Sequence, residues 1–429
     1  MTSKSEKFLE YGAQYTGTMR KDLDSLYPVL FEKGKGAYVW DMEGNKYLDF
    51  TGATGAIILG YCYDEVDKAV AEYLSENGNV FITKFSKPRV ELARKLVEHV
   101  PCAEHVSFHK TGSCATTVAM RLAKTHTNRE IVLTCGYHGW HDWQLSMFPD
   151  FRIPDEHHLN FEYSLDKLEE LIEKHKDNVA CVFITPEPSF FPMEYFHELR
   201  EITKKHGILL IFDEVASGFR YELGGFQKFS GVIPDMATFS KGLANGYAIS
   251  AVCGPKEIMV DGARKNHFWS TFDAEIGPMV AALKTIEVFE KQDALKQMWE
   301  VGQYFYDQLH DLFNEAGVVF EMMKYPTIFH IIFDDTELYD AWILESLKRG
   351  VVLSRYDYQL ISYSHTKADI DFAIERVTEA FYALKERFPN SFYTGDKPNL
   401  SQKTLAERLE YEIGGTMEYR KGMKLQFVK

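Results

Sequence analysis

Short, continuously apolar runs closed by glycine or charge recur through the middle of the chain. Residues 208–212 (ILLIF) lie between Gly207 and the acidic pair Asp213-Glu214. Residues 179–185 (VACVFIT) stop at Pro186, and residues 131–135 (IVLTC) stop at Gly136. Runs of this length predict strands buried on both faces, as in a parallel sheet. Helical spacing fills the intervals. Ala115, Val118, Ala119, Leu122 and Ala123 share one face of a predicted helix, and residues 64–76, 166–176 and 276–291 read as amphipathic helices. Residues 31–50 alternate apolar and polar around Glu43-Gly44-Asn45, a hairpin signal, and the first 30 residues are polar, predicting a helix and an irregular arm. Beyond Gly317 short strands and helices follow, with His365-Thr366 before Asp369 reading as a capped helix start. The pattern predicts an α/β chain: a large domain with a mostly parallel central sheet flanked by helices, and a smaller α+β domain. Its expected bounds are 1–60 for the arm and part of the small domain, 61–316 for the large domain and 317–429 for the rest of the small one.

Composition narrows the function classes. At 429 residues, 45% hydrophobic and 26% charged, the chain is ordinary globular protein, too long for one simple core. A net charge of −15 argues against a nucleic-acid partner. The six cysteines are scattered, with no CxxC and no His/Cys cluster, so a reduced chain without a metal site is expected. Residues 1–17 lack the apolar centre of a signal peptide, and no apolar run approaches membrane-spanning length. A cytoplasmic location is the expectation.

The chemistry concentrates where the run 208–212 ends on Asp213 and, about one strand–crossover–strand unit later, Lys241 stands among small and apolar residues (TFSKGLANGYAISA, 238–251). An Asp at the carboxyl end of a parallel strand lies where open α/β sheets bind ligands. A lysine in apolar surroundings is disposed to lose its proton and attack a carbonyl. Taken singly, Asp213 reads as a helix cap and Lys241 as a surface residue. Taken together, they suit pyridoxal phosphate (PLP), with Lys241 as its Schiff-base amine and Asp213 as partner of the pyridine nitrogen. DEVASGFR (213–220) followed by the lysine segment resembles the signature of the class III aminotransferases, in their glutamate-1-semialdehyde aminomutase-like branch. The resemblance spans about residues 34–372 and implies a PLP-dependent transferase of fold type I.

Other site residues follow by position in that resemblance. Thr111-Gly112-Ser113 precedes a predicted helix, whose first N–H groups and permissive glycine make an anion cradle. On its own the turn is a plain cap; the resemblance makes Gly112 and Ser113 phosphate-binding. Tyr137 is implied to cover one face of the cofactor ring and Val215 the other, with Glu187 near the ring. His138 reads as a structural histidine, with a general base and a phosphate neighbour as alternatives; His141 and Trp143 are further lining residues. Thr271 matches a threonine that reaches the phosphate in the neighbouring subunit, implying a homodimer. Arg355, Arg20 and Thr54 are substrate-side candidates, Arg355 through a bidentate carboxylate pair. The chain departs from the family pattern at Thr54, where tryptophan is common, at Ala274-Glu275, and at Ser189-Phe190-Phe191-Pro192. Two phenylalanines at a pocket edge would change its shape and polarity.

The expected activity is transfer of an amino group from a donor, L-glutamate first, to a carbonyl acceptor. Within the family the chain looks most like enzymes that form 8-amino-3,8-dideoxy-octulosonate from an 8-oxo sugar acid in lipopolysaccharide biosynthesis. The alternatives are glutamate-1-semialdehyde 2,1-aminomutase and a PLP-binding protein without turnover. No chemistry is read in residues 390–429.

Overall fold

Hairpin-forming alternation near the start of the chain yields three antiparallel strands, β1 (Phe31–Lys35), β2 (Tyr38–Asp41) and β3 (Lys46–Asp49). Asp41 closes the β2–β3 turn, accepting from the backbone N–H of Glu43 and Asn45 and from the Tyr47 hydroxyl. The computed structural model describes residues 4–15, 29–83, 85–147, 155–268, 270–323, 325–355 and 357–401.

The apolar runs become a seven-stranded sheet of β4 (His105–His109), β5 (Ile131–Cys135), β6 (His158–Asn160), β7 (Val179–Ile184), β8 (Leu209–Asp213), β9 (Met236–Phe239) and β10 (Ser250–Gly254), in the order β4-β10-β9-β8-β7-β5-β6. Only β10 runs against its neighbours. The carboxyl ends of β4, β5, β7, β8 and β9 therefore all meet one edge of the sheet. Both β5 and β7 are buried at every residue, which is why their sequences show no polar face. The helix Gly112–Thr127 packs Ala115, Val118, Ala119, Leu122 and Ala123 against Val132, Phe183, Ile211 and Val252, the face that its spacing predicts. Its alanines let the helix backbone lie close to the strands.

The rest of the chain adds β11 (Phe320–Met322), β12 (Ile328–Phe329), β13 (Ile331–Phe333), β14 (Val351–Val352) and β15 (Gln359–Leu360). Strand β14 joins β3 in parallel and completes a four-stranded sheet. The chain thus divides into two units, residues 65–295 and residues 1–64 with 296–401. The second break falls at the head of the helix Ala294–Ala316, whereas the sequence pattern placed it at the helix's end. Aromatic packing accounts for the difference. Phe305 stacks on Phe50 at 4.3 Å, and Phe313 packs edge-on against Phe333 and Trp342. Thr366 and Asp369 form the capping box that starts the helix Lys367–Tyr382, as the sequence predicts. Among the described residues no helix is long and apolar enough to cross a membrane.

Candidate active site

The site is built on the shared carboxyl edge of the large sheet. Asp213 ends β8 and is 3% exposed. Its Oδ1 accepts from the Val215 backbone N–H at 3.1 Å and from the Thr238 hydroxyl at 3.2 Å; His138 Nδ1 lies 3.0 Å from Oδ2. An ionised carboxylate only accepts, so that ring nitrogen carries the hydrogen. Thr238 faces Asp213 because β8 and β9 pair there in parallel register. Three residues later β9 gives way to a short 3-10 turn, Lys241–Ala244, which Lys241 enters with φ 40°. A non-glycine residue in the left-handed region is uncommon and clusters at functional sites. Lys241 is half-buried, between the buried Phe239 and the buried Gly242, Leu243 and Ala244.

The β4 end supplies the helix start. Thr111 caps the helix by accepting from Cys114 N–H, and Ser250 Oγ donates to the Thr111 carbonyl at 2.7 Å. Gly112 is pressed against Val215; a Cβ there would sit 2.9 Å from Val215 Cγ1. The phosphate-type turn and the Asp213 loop are thus in direct contact. At the β5 end, residues 137–144 fold over the same helix start. Ser113 Oγ accepts from Trp140 N–H, Thr116 Oγ1 donates to the His138 carbonyl, and Gln144 Nε2 donates to the Ser113 carbonyl. Gly139, at φ 123°, touches Ser113 and Gln144 so closely that no side chain fits. Tyr137 is 52% exposed on this loop, and Thr185 Oγ1 from the β7 end donates to its carbonyl.

The arrangement fits a planar anionic cofactor with a basic ring nitrogen. The helix start offers backbone N–H groups to a phosphate, and a carboxylate has lone pairs beyond the three occupied on Asp213. The bonds to Asp213 hold it against rotation.

His138 is a buried histidine whose ring lies against Phe183 and Trp143 and whose Nδ1 meets Asp213, in keeping with a structural histidine. Other sequence expectations change here. Trp143 is buried, with its Nε1 donating to Thr117 Oγ1, so it is core rather than lining; His141 Nδ1 bonds the same hydroxyl. Phe190 and Phe191 do not edge a pocket. The chain turns at Glu187, whose carbonyl accepts from both their N–H groups, and Phe191 stacks on Tyr163 at 4.6 Å in the core. Glu187 itself is buried. Thr271 is exposed at the head of a 3-10 turn. In the other unit, Arg355 makes its bidentate carboxylate pair with Asp340 of the same chain. Thr54 is exposed with φ 55°, and Arg20 lies outside the described residues. Thr238 and Gln144 escaped the sequence reading; the register of β8 against β9 is the signal that places Thr238.

The profile of the family Aminotransferase class-III matches residues 19–381. This chain belongs to the class-III aminotransferases. It is therefore a PLP-dependent aminotransferase of fold type I. The 2'-deamino-2'-hydroxyneamine transaminase of Streptomyces kanamyceticus is 36% identical over 88% of this chain and 97% of its own length. The 3-aminobutyryl-CoA aminotransferase of Cloacimonas acidaminovorans is also 36% identical, over 84% and 90%. A glutamate-1-semialdehyde 2,1-aminomutase of Methanosphaera stadtmanae is 30% identical over 83% and 92%. Among solved structures, the FumI protein of Sphingopyxis sp. MTA144, in its PLP internal aldimine form, superimposes with a TM-score of 0.83 at 26% identity, covering 91% of this chain and 98% of that one.

Proposed function

We propose that this class-III aminotransferase takes its amino group from L-glutamate and delivers it to a carbonyl carbon of a sugar-derived acceptor. The observation that carries the site assignment is the triple anchoring of Asp213 at the strand edge from which Lys241 also emerges. When bound, PLP supplies an aldehyde that condenses with amines and a ring that draws electrons from the attached carbon. Lys241 holds the cofactor and, once released, its Nζ takes the proton from the donor carbon and returns it one position away. Asp213 keeps a proton on the ring nitrogen, and His138 and Thr238 keep Asp213 aimed. Gly112 and Ser113 bind the phosphate, Tyr137 and Val215 cover the ring faces, and Glu187 lies beside the ring. Thr54 is kept as a substrate-side candidate on the family resemblance. Arg355, whose Nε and Nη2 pair with Asp340, is the candidate for a substrate carboxylate.

The sugar-acid acceptor, an 8-oxo octulosonate, rests on overall resemblance and on the neamine-directed name of one relative. The aminomutase reading stands second. It is favoured by relatives at 30–31% identity and by the burial of Phe190 and Phe191, which removes one departure counted against it. We place the protein in the cytoplasm as a homodimer with Thr271 crossing to the partner. Support comes from its free cysteines and from the exposed Phe81, Ile82, Phe85 and Phe272. The test is the absorbance of the purified protein before and after L-glutamate. An aminotransferase loses the aldehyde-form band and releases 2-oxoglutarate; a band that glutamate leaves unchanged removes glutamate as the donor.

A further inference from the structure

The departure from the family pattern at Glu275 has a partner in space. Lys110, the residue before the Thr111 cap, donates its ammonium to Glu275 Oε2, while Asn79 Nδ2 donates to Oε1 at 3.0 Å. Both charged side chains are largely covered, at 22% and 27% exposure. Burial pushes the Glu275 carboxyl up, but the Lys110 and Asn79 hydrogen bonds outweigh it and hold the group below its ordinary value.

Glu275 closes the turn that carries Thr271. In that turn Thr271 and Phe272 face solvent while Asp273 and Ala274 are buried. Its underside is fastened at several points. Asn79 Oδ1 accepts from Ile276 and Gly277 N–H, and Arg89 Nη1 donates to the Asp273 carbonyl at 2.7 Å. His109 lies 3.5 Å from Asp273 Oδ2. Of these anchors, His109 and Lys110 alone sit on the junction that leads into Gly112-Ser113. Lys110 contributes a full charge there, matched by Glu275 rather than left for a phosphate.

We infer that Lys110 and Glu275 are a positioning pair that sets the Thr271 tip against the helix start, so that each subunit presents its own phosphate turn and the tip it lends to its partner in one fixed geometry. This rests on the reading of Thr271 given above. A salt bridge of this kind adds little as a surface contact, but breaking a largely covered one leaves a charge without its partner and shifts what it holds.

The experiment removes PLP and titrates its rebinding in the unsubstituted protein, Lys110→Gln, Glu275→Gln, the reversed pair Lys110→Glu/Glu275→Lys, Thr271→Val and Thr271→Val/Glu275→Gln, with sedimentation of each. Each single ion-pair variant should weaken PLP binding about tenfold, the reversed pair should recover most of it, and Thr271→Val should add little once Glu275 is changed. All variants should sediment as the unsubstituted protein does. Affinity within twofold in both single variants, or tighter binding in Glu275→Gln because Lys110 is released to the phosphate, overturns the inference. So does a changed sedimentation that accompanies the weakened binding. Weak binding in Thr271→Val beside normal binding in both ion-pair variants overturns this inference alone; full affinity in Thr271→Val removes Thr271 from the site as well.

Discussion

His138 donates its Nδ1–H to Asp213 Oδ2 at 3.0 Å, with both side chains buried. The bond joins the loop after β5 to the end of β8 and fixes the direction of the carboxylate proposed to meet the cofactor ring. The His138 ring is held in turn by Phe183 at 4.7 Å and Trp143 at 6.0 Å. Replacing His138 with Ala should leave Asp213 held only at Oδ1, by Val215 and Thr238. Turnover should fall about tenfold to a hundredfold, a loss like that of other supporting bonds to an active-site group, with PLP still bound. Single-turnover absorbance with L-glutamate measures this; an unchanged rate would mean that the bond is only structural.

Lys241→Ala should bind PLP without retaining it covalently, and should show no turnover with any donor. Asp213→Asn keeps the shape and loses the charge, so turnover should fall by roughly 10² or more. Borohydride reduction followed by peptide mapping checks the first, since only a protein with Lys241 should become labelled there.

Gly139→Ala should damage the phosphate side selectively. The added methyl collides with Ser113 and with Gln144 Oε1, at 2.5 Å, and the backbone has φ 123°. Overpacking costs about 1–3 kcal/mol. We expect a lower melting temperature and weaker PLP rebinding, with the rebinding loss exceeding that of Gly44→Ala. Gly44 also has positive φ, but a Cβ there meets nothing within 4 Å. Equal effects would mean that backbone strain, not contact with Ser113, is responsible.

Glu214 should make stability depend on pH. Burial pushes its carboxyl up to about 7, although Gln227, Phe226 and Ser217 donate to it and pull the other way. Because the folded value is raised above the ordinary 4.5, its contribution is fully present below that pH and is lost as pH rises through about 7. Glu214→Gln should remove that dependence. Relative to the Gln variant, the unsubstituted protein should lose on the order of 3 kcal/mol between pH 5 and pH 9. Denaturant unfolding across that window tests it; parallel stability curves would place the Glu214 titration elsewhere.

Much of the architecture was legible because buried strands and covered helix faces leave periodic traces. The runs at 131–135 and 179–185 became β5 and β7, and the alanine face of 112–127 met the sheet as its spacing predicts. Legibility failed where packing chose between equivalent readings. Phe190-Phe191 after a turn reads equally well as a pocket edge or as core, and stacking on Tyr163 decided it. Arg355 reads as a substrate clamp, and only the structure shows that Asp340, 15 residues earlier, already engages its Nε and Nη2.

The sequence by itself determined the family and the cofactor, and it singled out the two residues proposed to carry the chemistry. Asp213 and Lys241 stand at strand ends whose apolar runs are local, and local pattern survives in one dimension. The tertiary structure alone decided what holds those residues in place. His138 and Thr238 meet Asp213 across 75 and 25 positions of chain, and Glu275 meets Lys110 across 165. Such partners come together only when the parallel sheet brings its carboxyl ends to one edge. A hydrogen bond or ion pair between them depends on distance in space, and separation along the chain leaves no record of it.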